Sequence, residues 1–261
     1  MKSIMKNVTR TAMIHAAGAA LFYSLAASAS AADLKVFSTI GVQSALEAMA
    51  PKYEKLSGNT LNITWATAAA LAKRVQAGES ADVMILTPPL LETLIGDGKA
   101  APGITPLAGS GIAMVVKSGA PKPDISTPEA FKQALLDAKS IAYSDPAAGG
   151  ASGVYIGKLL QRLGIADIVK GKTKHPPANG NAAVLVANGE AELAIQQTPE
   201  VMSAQGVDIV GILPGDLNNI TVFAAGVGKD TRDKAAAEDF IKFLKTPDAA
   251  NVFKMRGLDP Q

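Results

Sequence analysis

Hydrophobic and polar positions along this chain follow two periods that take turns. Residues 34–38 (LKVFS), 60–65 (TLNITW) and 81–86 (ADVMIL) are short apolar or alternating runs, as strands buried on one or both faces require. Between them, residues 42–55, 69–77 and 90–95 carry apolar side chains at helical spacing. Strands separated by helices of this length imply βαβ units and a mostly parallel sheet. A stretch rich in Pro and Gly at 101–106 interrupts the series, and the run GIAMVV at 111–116 begins a second one. There Ser126 is positioned to cap a helix that opens Thr127, Pro128, Glu129. A strand at 140–144, helices at 154–163 and 182–188, and strands at 192–196, 207–213 and 220–226 follow. Amphipathic helices at 232–245 and 247–255 end the sequence, with Phe240, Ile241 and Leu244 on the apolar side. The expected fold is α/β, with two successive sets of strands and helices forming two lobes.

The first thirty-two residues stand outside this alternation. Lys2, Lys6 and Arg10 precede a nearly unbroken apolar run over 12–27, and Ala29-Ser30-Ala31 supplies the small-x-small pattern of a signal-peptide cleavage site. The run is shorter than the roughly 20 residues that cross a bilayer, so export with cleavage after Ala31 or Ala32 is expected, giving a periplasmic protein. Removing the three basic residues leaves 22 Lys and Arg against 23 Asp and Glu, turning the formal net charge from +2 to −1. Such a surface has no general attraction for nucleic acid or acidic membranes.

Composition excludes much chemistry. There is no cysteine, and His15 and His175 are the only histidines. A Ser-His-Asp triad would depend on His175, and no serine lies in a G-x-S-x-G turn. The GKT at 171–173 ends like a phosphate loop, but the first glycine of that motif would fall on Ala166. Acidic pairs such as Asp137 and Asp145 have no spacing that sets them apart from surface charge. No catalytic residue, metal ligand or cofactor site is expected.

What remains is a set of junctions where a strand ends and a helix begins, the crevice in which open α/β sheets bind ligands. Ser38 to Gly41, Ala66 to Ala69, Gly149 to Gly153 and Asn179 to Asn181 are small, hydroxyl-bearing or amide-bearing. Backbone N–H groups at such helix starts suit an anion.

Several segments are similar to the periplasmic molybdate-binding proteins and their relatives, the solute-binding subunits of ABC importers. VFSTIGVQSALEAMAPKYEKLSG resembles the opening strand and helix of that family, and ALAKRVQAGESADVMIL its next helix, turn and strand. DPAAGGASGVYIGKLLQRLGI, NGNAAVLVANGEAELAI and AAEDFIKFLKTPDAANVFKMRGL match its later segments in the same order. The resemblance implies a two-lobed type 2 periplasmic binding fold, with lobe I at 33–112 and 222–261, lobe II at 113–221, and hinge strands near 108–116 and 219–225. It implies a monomer that clamps a small anion between lobes, performs no chemistry on it, and hands it to an ABC permease in the inner membrane.

Carried over residue by residue, the resemblance assigns ligand contacts to Ser38, Thr39, Gly41, Thr67, Ala68, Ala69, Ala151, Ser152, Gly153, Asn181 and Gln197. The family's first-loop serine falls on Gly41, its second-loop serine pair on Ala68 and Ala69, and a tyrosine of many members on Gln197. The DP loop carries one extra residue. Loss of the hydroxyls points away from molybdate and, with Gly41 and Ala69 leaving more room, toward a larger anion such as a small di- or tricarboxylate. Lys73, Arg74, Lys172, Lys174 and His175 lie close in sequence to the loops that would hold it. A molybdate or tungstate carrier and a ligand sensor feeding a membrane receptor remain the alternatives.

Overall fold

The computed structural model describes residues 31–177 and 180–261, so the expected signal peptide and Asn179 lie outside the described residues. The first set of elements is β1 (Asp33–Thr39), α1 (Gln43–Ser57), β2 (Thr60–Ala66), α2 (Ala68–Gln76), β3 (Val83–Leu86), α3 (Pro88–Gly96) and β4 (Thr105–Ser110). The second is β5 (Ile112–Lys117), α4 (Pro128–Asp137), β6 (Ile141–Ala142), α5 (Ala151–Arg162), α6 (Ala166–Lys170), β7 (Thr173–Lys174), α7 (Ala182–Ala187), β8 (Leu193–Gln197), α8 (Thr198–Ser203) and β9 (Val207–Ile212). The chain then returns to the first set with β10 (Thr221–Val227), α9 (Lys234–Phe243), α10 (Pro247–Met255) and β11 (Asp259–Pro260).

These strands make two sheets, ordered β11-β4-β10-β3-β1-β2 and β7-β6-β8-β5-β9. Both are mixed rather than mostly parallel. β1 runs parallel to β2 and β3, and β6 parallel to β7 and β8, each pair joined through a helix. β10 runs antiparallel to β3 and β4, and β5 antiparallel to β8 and β9. The antiparallel strands are those that enter a sheet straight from the other one, where no helical crossover imposes parallel direction.

Each sheet is covered on both faces. Phe37, Leu71, Met84 and Leu91 belong to one core of the first sheet, Val36, Leu46, Tyr53, Phe240 and Phe253 to the other. Ile112, Phe131, Ile156 and Ile195 fill one side of the second sheet, Val115, Ala183 and Ala194 the other. Small residues dominate that last core, which brings α7 close to the strands.

Two local expectations are corrected. Thr127, not Ser126, caps α4: its side chain accepts a hydrogen bond from the Ala130 N–H, at 3.1 Å. Pro128 occupies the first helical position and holds the residue before it extended, which makes Thr127 the cap. Residues 105 and 106, expected in the Pro- and Gly-rich interruption, open β4, which continues through the expected hinge segment to Ser110; the pairing with β10 shifts register beside Pro106, a site where proline is tolerated.

The chain crosses between sheets twice, once at Gly111 and once between β9 and β10. The crossings are bonded together. Asn218 Oδ1 accepts from the Ile112 N–H at 2.9 Å, and both the N–H and the hydroxyl of Thr198 donate to the Gly111 carbonyl, at 3.0 and 3.1 Å.

Candidate functional site

Buried polar side chains gather at one place. Among the described residues the buried polar set is Ser38, Thr39, Thr67, Ser110, Ser152, Gln196, Gln197 and Thr221. Ser110 and Thr221 pair on the crossing strands; the others stand at the carboxyl ends of β1, β2 and β8 or the start of α5. Thr39, Thr67, Ser152 and Gln197 line a cavity of about 90 Å³, together with Ile40, Gly41, Ser144, Asp145, Gly150, Ala151, Glu200 and Phe223. Burial of polar groups on this scale costs stability unless they are bonded, so the cluster marks a site.

The backbone supplies its donors. α5 opens at Gly150 with no side-chain cap, and the single-turn helix over Ile40–Val42 opens at Thr39 likewise. Their first N–H groups have no acceptor within the helix. α2, by contrast, is capped by Thr67, whose hydroxyl accepts from the Ala70 N–H and donates to the Ala148 carbonyl at 2.9 Å, tying β2's end to the second sheet's loop. Gly153 lets α5 approach that loop, because a Cβ there would stand 2.4 Å from the Ser144 carbonyl oxygen. Gln197 is 3% exposed, and its Nε2 is a buried side-chain donor without a partner.

Glu200, which sequence reasoning missed, is one of two acids on the cavity wall; the other, Asp145, accepts from the Ala147 N–H at 2.9 Å. Glu200 stands on α8 and lines both this cavity and an adjoining one of about 180 Å³ that also contains Ile40, Gly180 and Glu47. Gln196 Nε2 donates to its carboxylate at 2.7 Å, and the Gln197 backbone N–H donates to it as well. Gln196 is itself fixed: its Oε1 accepts from the Ala182 N–H at 2.7 Å, and its Nε2 also reaches Ser144 Oγ at 3.0 Å. Burial outweighs the two donors and pushes the Glu200 pKa up to about 7.

The signal for Glu200 was in the sequence. Thr198-Pro199-Glu200 repeats the Thr-Pro-Glu of α4 one position later, so that Glu200 is the third residue of its helix where Glu129 is the second, and from the third position a carboxylate bonds back to the cap N–H.

The remaining expected residues fall apart into lining and support. Ser38 is fully buried behind the cavity, its hydroxyl 3.3 Å from the Thr39 carbonyl. Ala68, Ala69 and Gly153 do not line it. Asn181 lines only the adjoining cavity; its Oδ1 caps α7 by accepting from the Ala183 N–H, and its Nδ2 donates to the Glu200 carbonyl and to Ser203 Oγ. Nor do Gly41 and Ala69 enlarge the space. A Cβ on Gly41 would lie 2.4 Å from Phe223 Cζ and 2.7 Å from Gln197 Oε1, and Ala69 Cβ lies 2.9 Å from where Gly149 would carry one. The volume vacated by the two hydroxymethyl groups is taken up by β10 and by the extended loop before α5.

Among the described residues no cationic side chain lines the cavity. Arg74 is bound to Glu79 at 2.7 Å, Lys172 donates to the Leu136 and Ala138 carbonyls, and His175 Nδ1 lies 2.8 Å from the Tyr143 carbonyl oxygen. An anion here meets N–H dipoles, hydroxyls and one amide, with the carboxyl groups of Asp145 and Glu200 on the same wall.

The pattern described as bacterial extracellular solute-binding protein matches residues 34–259. The chain belongs to this family. Molybdate-binding protein ModA of Escherichia coli is 28% identical to this solute-binding protein over 246 residues, covering 92% of this chain and 95% of that protein. In fold it is similar to the periplasmic molybdate-binding protein of Azotobacter vinelandii, with a TM-score of 0.70 and 22% identity over 87% of this chain and 98% of that one. The type 2 periplasmic binding fold and the molybdate-binder-like character expected from sequence therefore hold.

The expectation of a protein without enzymatic chemistry does not. Aconitate isomerase of Pseudomonas sp is 37% identical over 234 residues, 87% of this chain and 87% of that protein. An enzyme on this solute-binding scaffold, at higher identity than the molybdate binder, corrects a reading that rested on the scarcity of histidine and the absence of cysteine.

Proposed function

We propose that this protein takes an aconitate-type tricarboxylate into the cleft between its sheets and interconverts its isomers in the periplasm. The observation that carries the reading is the Glu200 carboxyl, held by Gln196 and by the Gln197 N–H, on the wall of a cleft that also presents the anion-binding donors described above. For a carrier of a tetrahedral oxyanion such a group is a liability, since a like charge opposes the ligand. For an enzyme acting on an unsaturated acid it is a reagent. The relative named aconitate isomerase supports the choice of substrate. So does the loss of both family serines, with Phe223, Gln197 and Gly149 standing where their hydroxymethyl groups would go. In this reading Thr39, Ala151, Ser152 and Gln197 hold the carboxylates, Thr67 shapes the wall through its bond to the Ala148 carbonyl, and the adjoining cavity takes the part of the ligand that extends past Glu200.

A second reading keeps the ligand and changes its fate: the same anion is delivered to an ABC permease in the inner membrane. The family and the signal-like sequence over the first thirty-two residues favour it. One set of measurements separates the two. Mature protein is titrated with trans-aconitate, cis-aconitate, citrate, sulfate and molybdate, by calorimetry and by the emission of Trp65, the only tryptophan, which adjoins the Thr67 loop. Conversion of trans- to cis-aconitate is followed by chromatography. Binding with turnover supports the isomerase, and binding without turnover supports the carrier. Micromolar molybdate binding without a response to any tricarboxylate overturns both.

A further inference from the structure

We propose that the Glu200 carboxyl is the proton carrier for isomerisation of an unsaturated tricarboxylate bound in this cleft, a step that rests on the function proposed above. Aconitate has a double bond between a CH carbon and a central carbon, each bearing a carboxylate, and a CH2 group bearing the third. The methylene proton is acidified by the adjacent carboxylate and by the double bond. Glu200, as carboxylate, accepts that proton. The C–H electron pair delocalises across the former double bond, the double bond re-forms one carbon along, and Glu200 returns a proton to the carbon that was vinylic. One proton is taken and one given back, no electron is gained or lost, and no co-reactant is consumed.

The surroundings of Glu200 suit that work. Its two protein donors, Gln196 Nε2 and the Gln197 N–H, fix the plane of the carboxyl. Gln196 is locked in turn by the Ala182 N–H and Ser144, so Glu200 has a fixed backing while it borders the cavity. A second observation points the same way: Gln197 Nε2, the buried donor without a partner, belongs to the residue that caps Glu200's own helix. Together with the uncapped start of α5 across the cavity it offers two separated holds for carboxylates, leaving the carbon chain between them beside Glu200. Burial sets the acid near neutrality, where a group that must both accept and donate a proton works best.

The test uses Glu200→Gln and Glu200→Asp in the full mature protein, with trans-aconitate as probe. Loss of one acid–base group predicts a fall in turnover of roughly 10²–10⁴-fold for Glu200→Gln, with aconitate affinity kept or tightened because a negative charge is removed. Glu200→Asp should recover part of the lost rate. In D2O, wild type should wash deuterium into the methylene group, read by proton NMR, and Glu200→Gln should not. A Glu200→Gln protein that turns over within about tenfold of wild type, where a general base is worth at least ~10²-fold, overturns the assignment and leaves the proposed function standing. Wild type that neither binds nor converts aconitate overturns both. A Glu200→Gln protein that still washes deuterium into the methylene group at the wild-type rate counts against Glu200, whereas conversion by wild type without exchange is what a single carrier returning the proton it took would give.

Discussion

Replacing Glu200 by Gln removes a titrating group whose folded-state pKa stands far from its ordinary value, so its effect on stability must depend on pH in a fixed direction. Burial raises the carboxyl from 4.5 to about 7. Below pH 4.5 it is protonated whether the chain is folded or not, and it imposes no penalty. Between 4.5 and 7 the folded state binds the extra proton, and stability falls as pH rises. Above 7 the full penalty is in force. With each pKa unit worth 1.36 kcal/mol, it amounts to about 3 kcal/mol, an upper limit because the amide of Gln also forfeits one acceptor. For a domain of this size 1 kcal/mol moves Tm by roughly 2–4 °C. Glu200→Gln should therefore melt up to about 6–12 °C above wild type at pH 8.5, by the same conversion, and level with it at pH 4. Asp145 on the same cavity and Glu47 on the adjoining one are the other acids facing this space, and both remain in the variant. Differential scanning calorimetry of wild type and variant across this pH range reads the difference directly. A gap in Tm that does not change with pH would refute the argument, because a half-buried group titrating near neutrality cannot leave stability independent of pH.

Two further substitutions probe the ligand. Gly41→Ser should not restore an oxyanion hydroxyl; its Cβ meets Phe223 and Gln197, so overpacking should lower stability by about 1–3 kcal/mol with no gain in molybdate affinity by calorimetry, and tight molybdate binding at unchanged Tm would contradict the packing. Gln197→Met removes the unpartnered amide, so Tm should hold while tricarboxylate affinity falls by roughly ten- to a hundredfold, the worth of one hydrogen bond to a charged group; unchanged affinity would mean that Nε2 meets no ligand.

Much of this was legible along the chain, and what was not shares a cause. The strand-to-helix junctions were readable because each carries its own local signal: small residues, hydroxyls and helix starts. Thr39, Gly41, Thr67, Ala151, Ser152 and Gln197 accordingly meet around one cavity. Which way a side chain faces at a junction is set by distant partners. The Phe223 ring fills the place beside Gly41 because β10 returns from the second sheet to lie against β3, and nothing near residue 41 records that. Ala69 was read as open space and faces Gly149 instead, because the Thr67 hydroxyl draws the two loops together. Asn181 was read as a ligand and is a cap. Glu200 was hidden differently. Its helix is short, its Thr-Pro-Glu opening was available, and a lone Glu after a strand looks like surface charge until the strand order places Gln196 and a cavity beside it.

The bonds at the strand crossing bear on how such a cleft could move. Thr198, the first residue of α8, donates twice to the Gly111 carbonyl, at the point where the chain passes from one sheet to the other. Any swing of one sheet against the other pivots close to Gly111, and displacement in a swing grows with distance from the pivot. Glu200, two residues beyond Thr198, therefore rides on a short lever arm, while the start of α5 is joined to the crossing by no such bond. Opening would release the carboxylate hold and leave the acid where it stands.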